Sequence, residues 1–251
     1  MLKYLNKAQA RRETTITSIG TVNESAKHAK AYKYNELVYT IYMAPAKTSG
    51  YEVCAGRTSE CTKLCLNESG MNTMDGYGGR INKARIKKTK LFYENREFFV
   101  RWVMDEIDSM IAKAKKLGFN YSVRINNTSD LSPELFYIND NGTKKNLLQL
   151  YPDVQFYDYT KIANRVKLLK KYPNYDLTYS FSGENMDECI TMLENDVRVA
   201  VVFRNVPSVF IGHLVIDGDK YDMRYRDPKD CIVGLKYKRV RTKLTESSFV
   251  I

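Results

Sequence analysis

Strand-like and helix-like segments alternate through most of this chain, and this alternation constrains the fold more than any other feature. Runs of β-branched and aromatic residues predict strands, and apolar residues at three- and four-residue spacing predict the helices between them. The predicted strands are residues 37–43, 121–125, 154–159, 177–181, 197–203, 213–216 and 232–235. Such alternation implies parallel βαβ units. We therefore expect an α/β fold, a full or partial (β/α) barrel with parallel strands, with an open twisted sheet as the rival architecture.

The clearest helical pattern runs from Arg80 to about Lys116. It predicts two helices that meet near Asn95, and Gly118 follows them as a helix C-cap. Shorter helices are predicted at residues 146–150, 162–171 and 185–195. Residues 1–35 are polar without a clear strand, so we interpret the chain as an N-terminal arm (1–35), a single β/α domain with a metal centre (36–240) and a C-terminal tail (241–251).

The chain is basic, with 40 Lys and Arg against 29 Asp and Glu among its 251 residues. This balance favours an anionic partner, either a small-molecule substrate or nucleic acid. The densest basic run, residues 83–90 (KARIKKTK), lacks interleaved aromatic residues, so we expect nucleic-acid binding to be weak. No apolar run approaches the roughly 20 residues of a membrane span, and the N-terminus lacks the apolar segment of a secretory signal. We therefore expect a cytoplasmic protein with no membrane partner.

Three of the five cysteines lie close together in the sequence, as Cys54, Cys61 and Cys65 in a C-x6-C-x3-C pattern. An odd number of cysteines without an export signal argues against a disulfide framework. Clustered thiolates are soft ligands that select zinc or an iron–sulfur cluster. Zinc sites usually use a second pair of ligands, which is missing downstream, whereas a [4Fe–4S] cluster accepts three cysteines from one loop. We therefore predict a [4Fe–4S] cluster, with zinc as the alternative metal.

The fourth cluster ligand is open at this stage. Cys231 precedes a predicted strand and is a candidate metal ligand, although a strand-start position would place it on the opposite face of a barrel. Cys189 lies in a predicted helix and is interpreted as a small buried hydrophobic residue. The remaining alternatives are another side chain and an exchangeable ligand on an iron that no cysteine holds.

Polar residues follow the predicted strands at the edge where the cysteine loop also falls. In parallel β/α folds, ligand sites lie at the carboxyl ends of the strands. Asp130 and Glu184 are the candidate catalytic residues for proton transfer. The candidate cofactor-binding residues are Asn127, Ser129, Lys161 and Ser182. The simpler interpretation is that strand ends are polar because loops are polar.

An acidic segment near the C-terminus contains Asp217, Asp219, Asp222 and Asp227. Carboxylates at this density could bind a hard cation, but Asp217-Gly218-Asp219 is also a good turn signal, and we favour the turn. Arg224 lies between these carboxylates and is a candidate for a structural ion pair.

Taken together, these elements resemble a family of tailed-phage proteins, over roughly residues 37–240. The elements that carry the resemblance are the three-cysteine loop, the basic helix from Arg80 to Lys90, Asn127-Thr128-Ser129-Asp130, Asp217-Gly218-Asp219, Asp222-Met223-Arg224, Asp227-Pro228-Lys229 and Val233-Gly234-Leu235. The resemblance implies a phage source, the cytoplasm of the infected host cell and an iron–sulfur site, but no particular reaction. A three-cysteine loop after the first strand is also distantly similar to radical S-adenosylmethionine barrel proteins, which implies S-adenosylmethionine as a ligand of the open iron.

Two functions follow from these observations. The first is an enzyme with the cluster at the barrel mouth, using radical S-adenosylmethionine-like chemistry or a Lewis-acid iron for a hydrolase or lyase reaction. The second is a non-catalytic module that binds nucleic acid or a host protein, with the iron–sulfur or zinc site as a structural element.

Overall fold

In the computed structural model of the protein, residues 6–65, 79–238 and 247–251 are described. The α-helices are α1 (Lys7–Thr14), α2 (Ser59–Lys63), α3 (Arg80–Glu94), α4 (Arg96–Leu117), α5 (Leu147–Leu150), α6 (Leu168–Lys171) and α7 (Met186–Glu194). Short 3-10 helices span His28–Tyr34, Pro133–Leu135, Ala163–Lys167 and Arg224–Arg226. The strands are β1 (Gly20–Val22), β2 (Glu36–Ile41), β3 (Asn120–Arg124), β4 (Tyr137–Asp140), β5 (Thr143–Asn146), β6 (Gln155–Thr160), β7 (Tyr175–Ser180), β8 (Val199–Phe203), β9 (Val209–Phe210), β10 (His213–Asp217) and β11 (Ile232–Lys236).

Nine strands form one sheet in the order β1-β2-β3-β6-β7-β8-β11-β10-β9, and β4 and β5 form a separate hairpin. The seven strands from β2 to β10 in this order are parallel, whereas β1 and β9 join the edges in antiparallel fashion. The predicted α/β class with parallel strands is therefore confirmed. Within the described part of the chain, the order ends at β1 and β9 and no pairing joins these two strands, so closure into a barrel is not observed.

The parallel strands from β2 to β8 follow one another across the sheet in chain order. Right-handed crossovers in one direction place their helices on one side of a sheet. We call this helix-covered side the outer face and the opposite side the inner face. The buried side chains of α4, including Phe99, Trp102 and Ile107, pack in the same apolar cluster as Leu37 and Val123 of the strands. Each large side chain buried in this way stabilises the fold by about 1.5–3 kcal/mol.

The two long helices meet where the sequence predicted. Asn95 ends α3 and caps α4, because its side chain accepts a hydrogen bond from the backbone N–H of Phe98. Gly118 ends α4 with a φ of 65°, a left-handed conformation that glycine adopts at little cost.

Residues 6–35 pack against the sheet. The structure differs from the sequence prediction here, because β1 lies in a region where no strand was expected. Glu106 of α4 fixes the start of β1, since its carboxylate accepts hydrogen bonds from the N–H groups of Ile19 and Gly20 at 3.0 and 2.8 Å. A three-residue strand held by a side chain 86 residues away leaves no local pattern in the sequence.

The inner face is largely polar. Its apolar cluster contains only Ala31, Val38, Tyr157 and Met223 as buried members among the described residues. The 3-10 helix His28–Tyr34 and the segment around Met223 contribute to this cluster, so both cover the inner face. Charged and hydroxyl-bearing side chains fill the space around it, and they are described with the site below.

Candidate functional site

The cysteine loop lies at the carboxyl edge of the sheet, after β2. Cys54 is partly buried, and its Sγ contacts the carbonyl oxygen of Thr128 at 3.8 Å. Burial, together with the charges of Cys65, Asp130 and Cys61, raises the pKa of the Cys54 thiol to about 12, although a hydrogen bond with the backbone of Ala46 opposes this rise. The charges of Cys61 and Cys65 thus act on the Cys54 thiol, which lies beside the loop that follows β3. Over residues 6–65, 79–238 and 247–251, no group of three or more ligating side chains is arranged to hold a metal ion, and residues 66–78, directly after Cys65, lie outside those described.

The cap of helix α2 links Cys61 to the segment that follows β7. Thr58 caps this helix, because its Oγ1 accepts a hydrogen bond from the N–H of Cys61 at 3.2 Å. The same hydroxyl donates to the carbonyl oxygen of Ser182 at 3.0 Å. Gly56 permits the close approach of this loop to the end of β6, since a Cβ there would lie 3.0 Å from Ile162. The cysteine loop thus contacts the carboxyl ends of three parallel strands.

Asp130, a predicted catalytic residue, is held by structural partners. Its carboxylate accepts hydrogen bonds from Thr160 Oγ1 at 2.8 Å and from the N–H of Lys161 at 2.9 Å. It also pairs with Arg165, whose side chain is almost fully buried. These contacts join the loops after β3 and β6. The geometry suits a loop anchor, and the role of Asp130 in proton transfer stays a prediction.

Asn126 and Asp158 organise the same edge, although the sequence analysis assigned neither residue a role. The buried carboxylate of Asp158 accepts hydrogen bonds from the backbone and side-chain N–H groups of Asn126 at 2.8 and 2.9 Å. Ser129, a predicted cofactor-binding residue, donates its hydroxyl to Asn126 Oδ1 at 2.8 Å. Burial raises the pKa of Asp158, while Arg165 and Asn126 counteract this effect. Asn126 stood among the polar residues after the second predicted strand, but its hydrogen-bonding role has no sequence signal.

The other predicted site residues lie at the same edge in different settings. Lys161 extends its ammonium group over the ring of Phe249, 5.6 Å from the centroid. Ser182 is buried and its N–H donates to Asn185 Oδ1 at 2.7 Å. Asn127 is half-buried and Glu184 is exposed to solvent. The structure therefore brings all six predicted catalytic and cofactor-binding residues to the carboxyl edge without showing a shared function.

Cys231 lies away from the other predicted metal ligands. It directly precedes β11, so it stands at the amino edge of the parallel sheet, and its thiol donates to the carbonyl oxygen of Pro228 at 3.1 Å. A five-residue strand is about 16 Å long, which separates the two edges. The structure thus does not bring Cys231 to the cysteine loop. Cys189 packs in the apolar core with Tyr179 and Phe181.

A second cluster of charges, centred on Asp222, lies on the inner face. The fully buried Asp222 carboxylate pairs with Lys27 Nζ at 3.0 Å and with Arg124 Nη1 at 2.7 Å. It also contacts His28 Nε2 at 2.8 Å and accepts a hydrogen bond from Tyr157 at 3.2 Å. Burial alone would raise the pKa of Asp222, but Arg124, Lys27 and His28 hold it well below its usual range. The partners lie far apart in sequence, and only the segment Asp222-Met223-Arg224 had been singled out there.

The match to known proteins covers almost the whole chain: the Gene product 88 family matches residues 6–250. The chain belongs to this family. Gene product 88 is a phage gene-product family, so the phage part of the sequence resemblance is confirmed. No curated protein and no solved structure shows a significant match to the chain.

The acidic segment of this Gene product 88 protein forms turns and ion pairs. The N–H of Asp219 donates to Asp217 Oδ1 at 2.8 Å, and the N–H of Lys236 donates to Asp219 Oδ2 at 3.0 Å. The turn interpretation is therefore confirmed. Arg224 is fully buried and pairs with Asp227 at 3.1 Å, as predicted.

The basic run of α3 is divided between two surfaces. Lys83, Lys87 and Lys90 are exposed on one face of the helix. Arg85 is buried, with its guanidinium group 5.2 Å from the ring centroid of Tyr42. Lys88 is half-buried, and burial lowers its pKa. In the described part of the chain, no helix has both the length and the apolar character that a bilayer span requires.

Proposed function

We propose that this Gene product 88 protein binds a [4Fe–4S] cluster through Cys54, Cys61 and Cys65, and that the cluster serves an enzymatic reaction in the cytoplasm of the infected cell. The observation that supports the proposal is the position of all three cysteines in the loop that follows β2, at the carboxyl edge of a parallel sheet. Thiolates are the donors that iron–sulfur clusters use, and this edge is where α/β proteins bind ligands. The strand order, sequential from β2 to β8, further favours a partial barrel with this edge as its mouth.

The fourth iron would carry an exchangeable ligand. Cys231 lies at the opposite edge of the sheet and Cys189 is packed in the core, so neither cysteine is positioned beside the loop. A cluster with one open iron supplies either electron transfer to S-adenosylmethionine or Lewis-acid polarisation of a substrate oxygen. Lys161 provides a positive charge that attracts an anionic substrate to this edge. Asn127, which is half-buried there, has an amide that can orient the substrate by hydrogen bonding.

Proton transfer would fall to Glu184 rather than to Asp130. The Asp130 carboxylate is engaged by Thr160, Lys161 and Arg165, and a general base needs a free lone pair facing the substrate. Glu184 is exposed at the same edge.

A non-catalytic nucleic-acid binder is the second candidate function. Its support is the exposed row of Lys83, Lys87 and Lys90 on α3, together with the formal net charge of +11. In that case a cluster or a zinc ion at the cysteine loop would stabilise the fold without reacting.

The test is metal analysis of the anaerobically purified protein and of single cysteine variants. We expect iron and sulfide in the wild-type protein and loss of both in Cys54→Ser, Cys61→Ser and Cys65→Ser, because each removes one ligand. Cys231→Ser is the matched control and should keep its iron.

Zinc in place of iron, or full iron retention in Cys61→Ser, would contradict the proposal. Loss of iron in Cys231→Ser to the same extent as in Cys54→Ser would show a site closed by four cysteines, and would remove the argument for an open iron.

A further inference from the structure

We propose that the inner face of the sheet binds a small ligand carrying a phosphate or carboxylate group, and that Lys27, Arg124, Tyr159 and Thr178 recognise it. The ligand class follows from the charges and hydroxyl groups that these residues bring together. This inference stands on residues outside the cysteine loop and does not rest on the proposed cluster.

Two hydroxyl groups on the inner face lack hydrogen-bond partners. Tyr159 of β6 and Thr178 of β7 are paired in the register of these parallel strands. Each has a buried hydroxyl oxygen that makes no hydrogen bond with any residue the structure describes. Thr178 is fully buried. Buried hydroxyl groups are nearly always hydrogen-bonded in folded proteins, so a neighbouring pair without partners indicates that another molecule satisfies them.

Positive charge collects beside the ring of Tyr159. The guanidinium carbon of Arg124 lies 4.6 Å from the ring centroid of Tyr159, and Lys27 Nζ lies 6.0 Å from it. Over the ranges that the structure describes, Asp222 is the one carboxylate that forms an ion pair with either cation. The Nε atom of Arg124 is buried and makes no hydrogen bond there. Two permanent cations thus share Asp222 as their ion-pair partner.

An oxyanion supplies both the hydrogen-bond partners that the two hydroxyl groups lack and a negative charge beside the two cations. Phosphate and carboxylate oxygens accept charge-assisted hydrogen bonds from Lys and Arg, and they also accept from hydroxyl groups. A neutral ligand would add no negative charge beside Lys27 and Arg124, and the positive charges of these two residues would repel a cation. The Lys27 side chain is 23% exposed, so this end of the cluster meets solvent.

The experiment is a titration of the full chain with inorganic phosphate, pyrophosphate and malonate, against sodium chloride at matched ionic strength. Binding is measured by calorimetry and by the shift in Tm. We expect a saturable rise in Tm with at least one oxyanion and none with chloride. The oxyanion that binds more tightly identifies the anionic group as phosphate or carboxylate. The Cys54→Ser variant should bind equally well, which separates this result from the fate of the proposed cluster.

Two variants test the residues. Tyr159→Phe should weaken binding about fivefold to tenfold, which corresponds to one lost hydrogen bond, and should fold normally because it removes only a hydroxyl group without a partner. Lys27→Gln should weaken binding by about tenfold or more, since a charge-assisted contact is lost. The matched controls are Tyr32→Phe and Lys33→Gln, both at exposed positions.

Responses to phosphate, pyrophosphate and malonate that all equal the response to chloride would overturn the inference. So would unchanged affinity in both Tyr159→Phe and Lys27→Gln. The first result would mean that ordered water satisfies the two hydroxyl groups, and the second that the oxyanion binds elsewhere on the protein.

Discussion

At the scale of single residues, Asn126 shows how one side chain can organise the edge that carries the proposed cluster. Its amide oxygen accepts hydrogen bonds from the Ser129 hydroxyl and from the N–H of Leu131 at 2.8 and 2.9 Å. Its amide nitrogen donates to the Asp158 carboxylate and to the carbonyl oxygen of Leu131, both at 2.9 Å. The loop after β3, which contacts Cys54, therefore takes its shape from this one residue.

We expect Asn126→Ala to lower the free energy of unfolding by about 2–4 kcal/mol, because it leaves the buried Asp158 carboxylate and two backbone groups short of partners. The matched control is Asn127→Ala at the adjacent, half-buried position, which should cost less than about 1 kcal/mol. Urea denaturation measures the free energy of unfolding of both variants. Equal losses in the two variants would contradict the role assigned to Asn126.

Asp222 gives a second prediction at this scale. Its pKa in the folded protein lies well below the value near 3.9 of an unfolded chain. The ionised form is therefore favoured by folding, so its stabilisation is present above about pH 4 and is lost as the pH falls below that value.

We expect Asp222→Asn to be less stable at neutral pH by about 3–5 kcal/mol, because buried cations lose their partner. Its stability should also fall less steeply than that of the wild-type protein between about pH 4 and pH 2. Urea unfolding across this range measures both effects. Asp153→Asn at an exposed site is the control, and parallel acid profiles for wild type and Asp222→Asn would refute the assignment.

What the sequence predicted at the residue level depended on spacing. Three cysteines within one loop could be recognised because neighbours in sequence are neighbours in space. The partners of Asp130 and Asp222 could not be recognised, since Arg165 lies 35 residues from Asp130 and His28 lies 194 residues from Asp222. A carboxylate at a strand end gives the same pattern whether it moves a proton or anchors a loop, and only the tertiary partner distinguishes the two.

At the scale of elements, helix α4 supports three strands, β1, β2 and β3. It packs on β2 and β3 through its apolar stripe, and it holds β1 through Glu106. Besides the two N–H groups of β1, the Glu106 carboxylate accepts a hydrogen bond from the hydroxyl of Tyr39 at 2.7 Å. Burial raises the pKa of Glu106, and the N–H of Gly20 and the hydroxyl of Tyr39 counteract this effect.

We expect Glu106→Ala to destabilise the protein by about 2–3 kcal/mol and to speed amide hydrogen exchange in β1, because two N–H groups lose their acceptor. Glu97→Ala on the same helix removes only an exposed pair with Arg101 and serves as the control. Exchange in β1 that stays as slow as in the wild-type protein would show that pairing with β2 is sufficient to hold this strand.

The elements that could be predicted were those with a local signal. The parallel strands were recognised from β-branched runs, and α3 and α4 from their periodicity, with Asn95 and Gly118 as boundaries. The short strands β1 and β9 were missed because two or three residues carry no periodicity. Barrel closure could not be decided for a different reason, since it depends on strand tilt and not on the type of residue in each strand.

At the scale of the whole molecule, the formal net charge of +11 is distributed over surfaces with different roles. Lys27 and Arg124 point to the inner face, where Asp222 balances part of their charge. The exposed lysines of α3 point to solvent. Only the second group is free to meet a large polyanion.

We expect the protein to bind duplex DNA weakly and without sequence preference, with an affinity that falls steeply with salt. A Lys83→Gln, Lys87→Gln and Lys90→Gln triple variant should reduce the slope of log affinity against log salt by about 3, because each phosphate contact contributes roughly 0.9. Fluorescence anisotropy over a salt series measures the slope. Tight and sequence-selective binding at physiological salt would instead favour the nucleic-acid-binding function.

The ion pairs that cover the inner face also bear on the order in which the chain assembles. Many outer-face contacts join consecutive elements, such as α3 with α4, whereas Glu36 pairs with Arg226 across 190 residues and His28 meets Asp222 across 194. Closing such long loops is entropically expensive until the intervening sheet exists, so we expect these pairs to form after the folding transition state. Asp222→Asn should therefore accelerate unfolding and leave the refolding rate nearly unchanged, as stopped-flow kinetics would show. The side of the molecule that we propose to hold the anionic ligand is then also the last to assemble and the first to open.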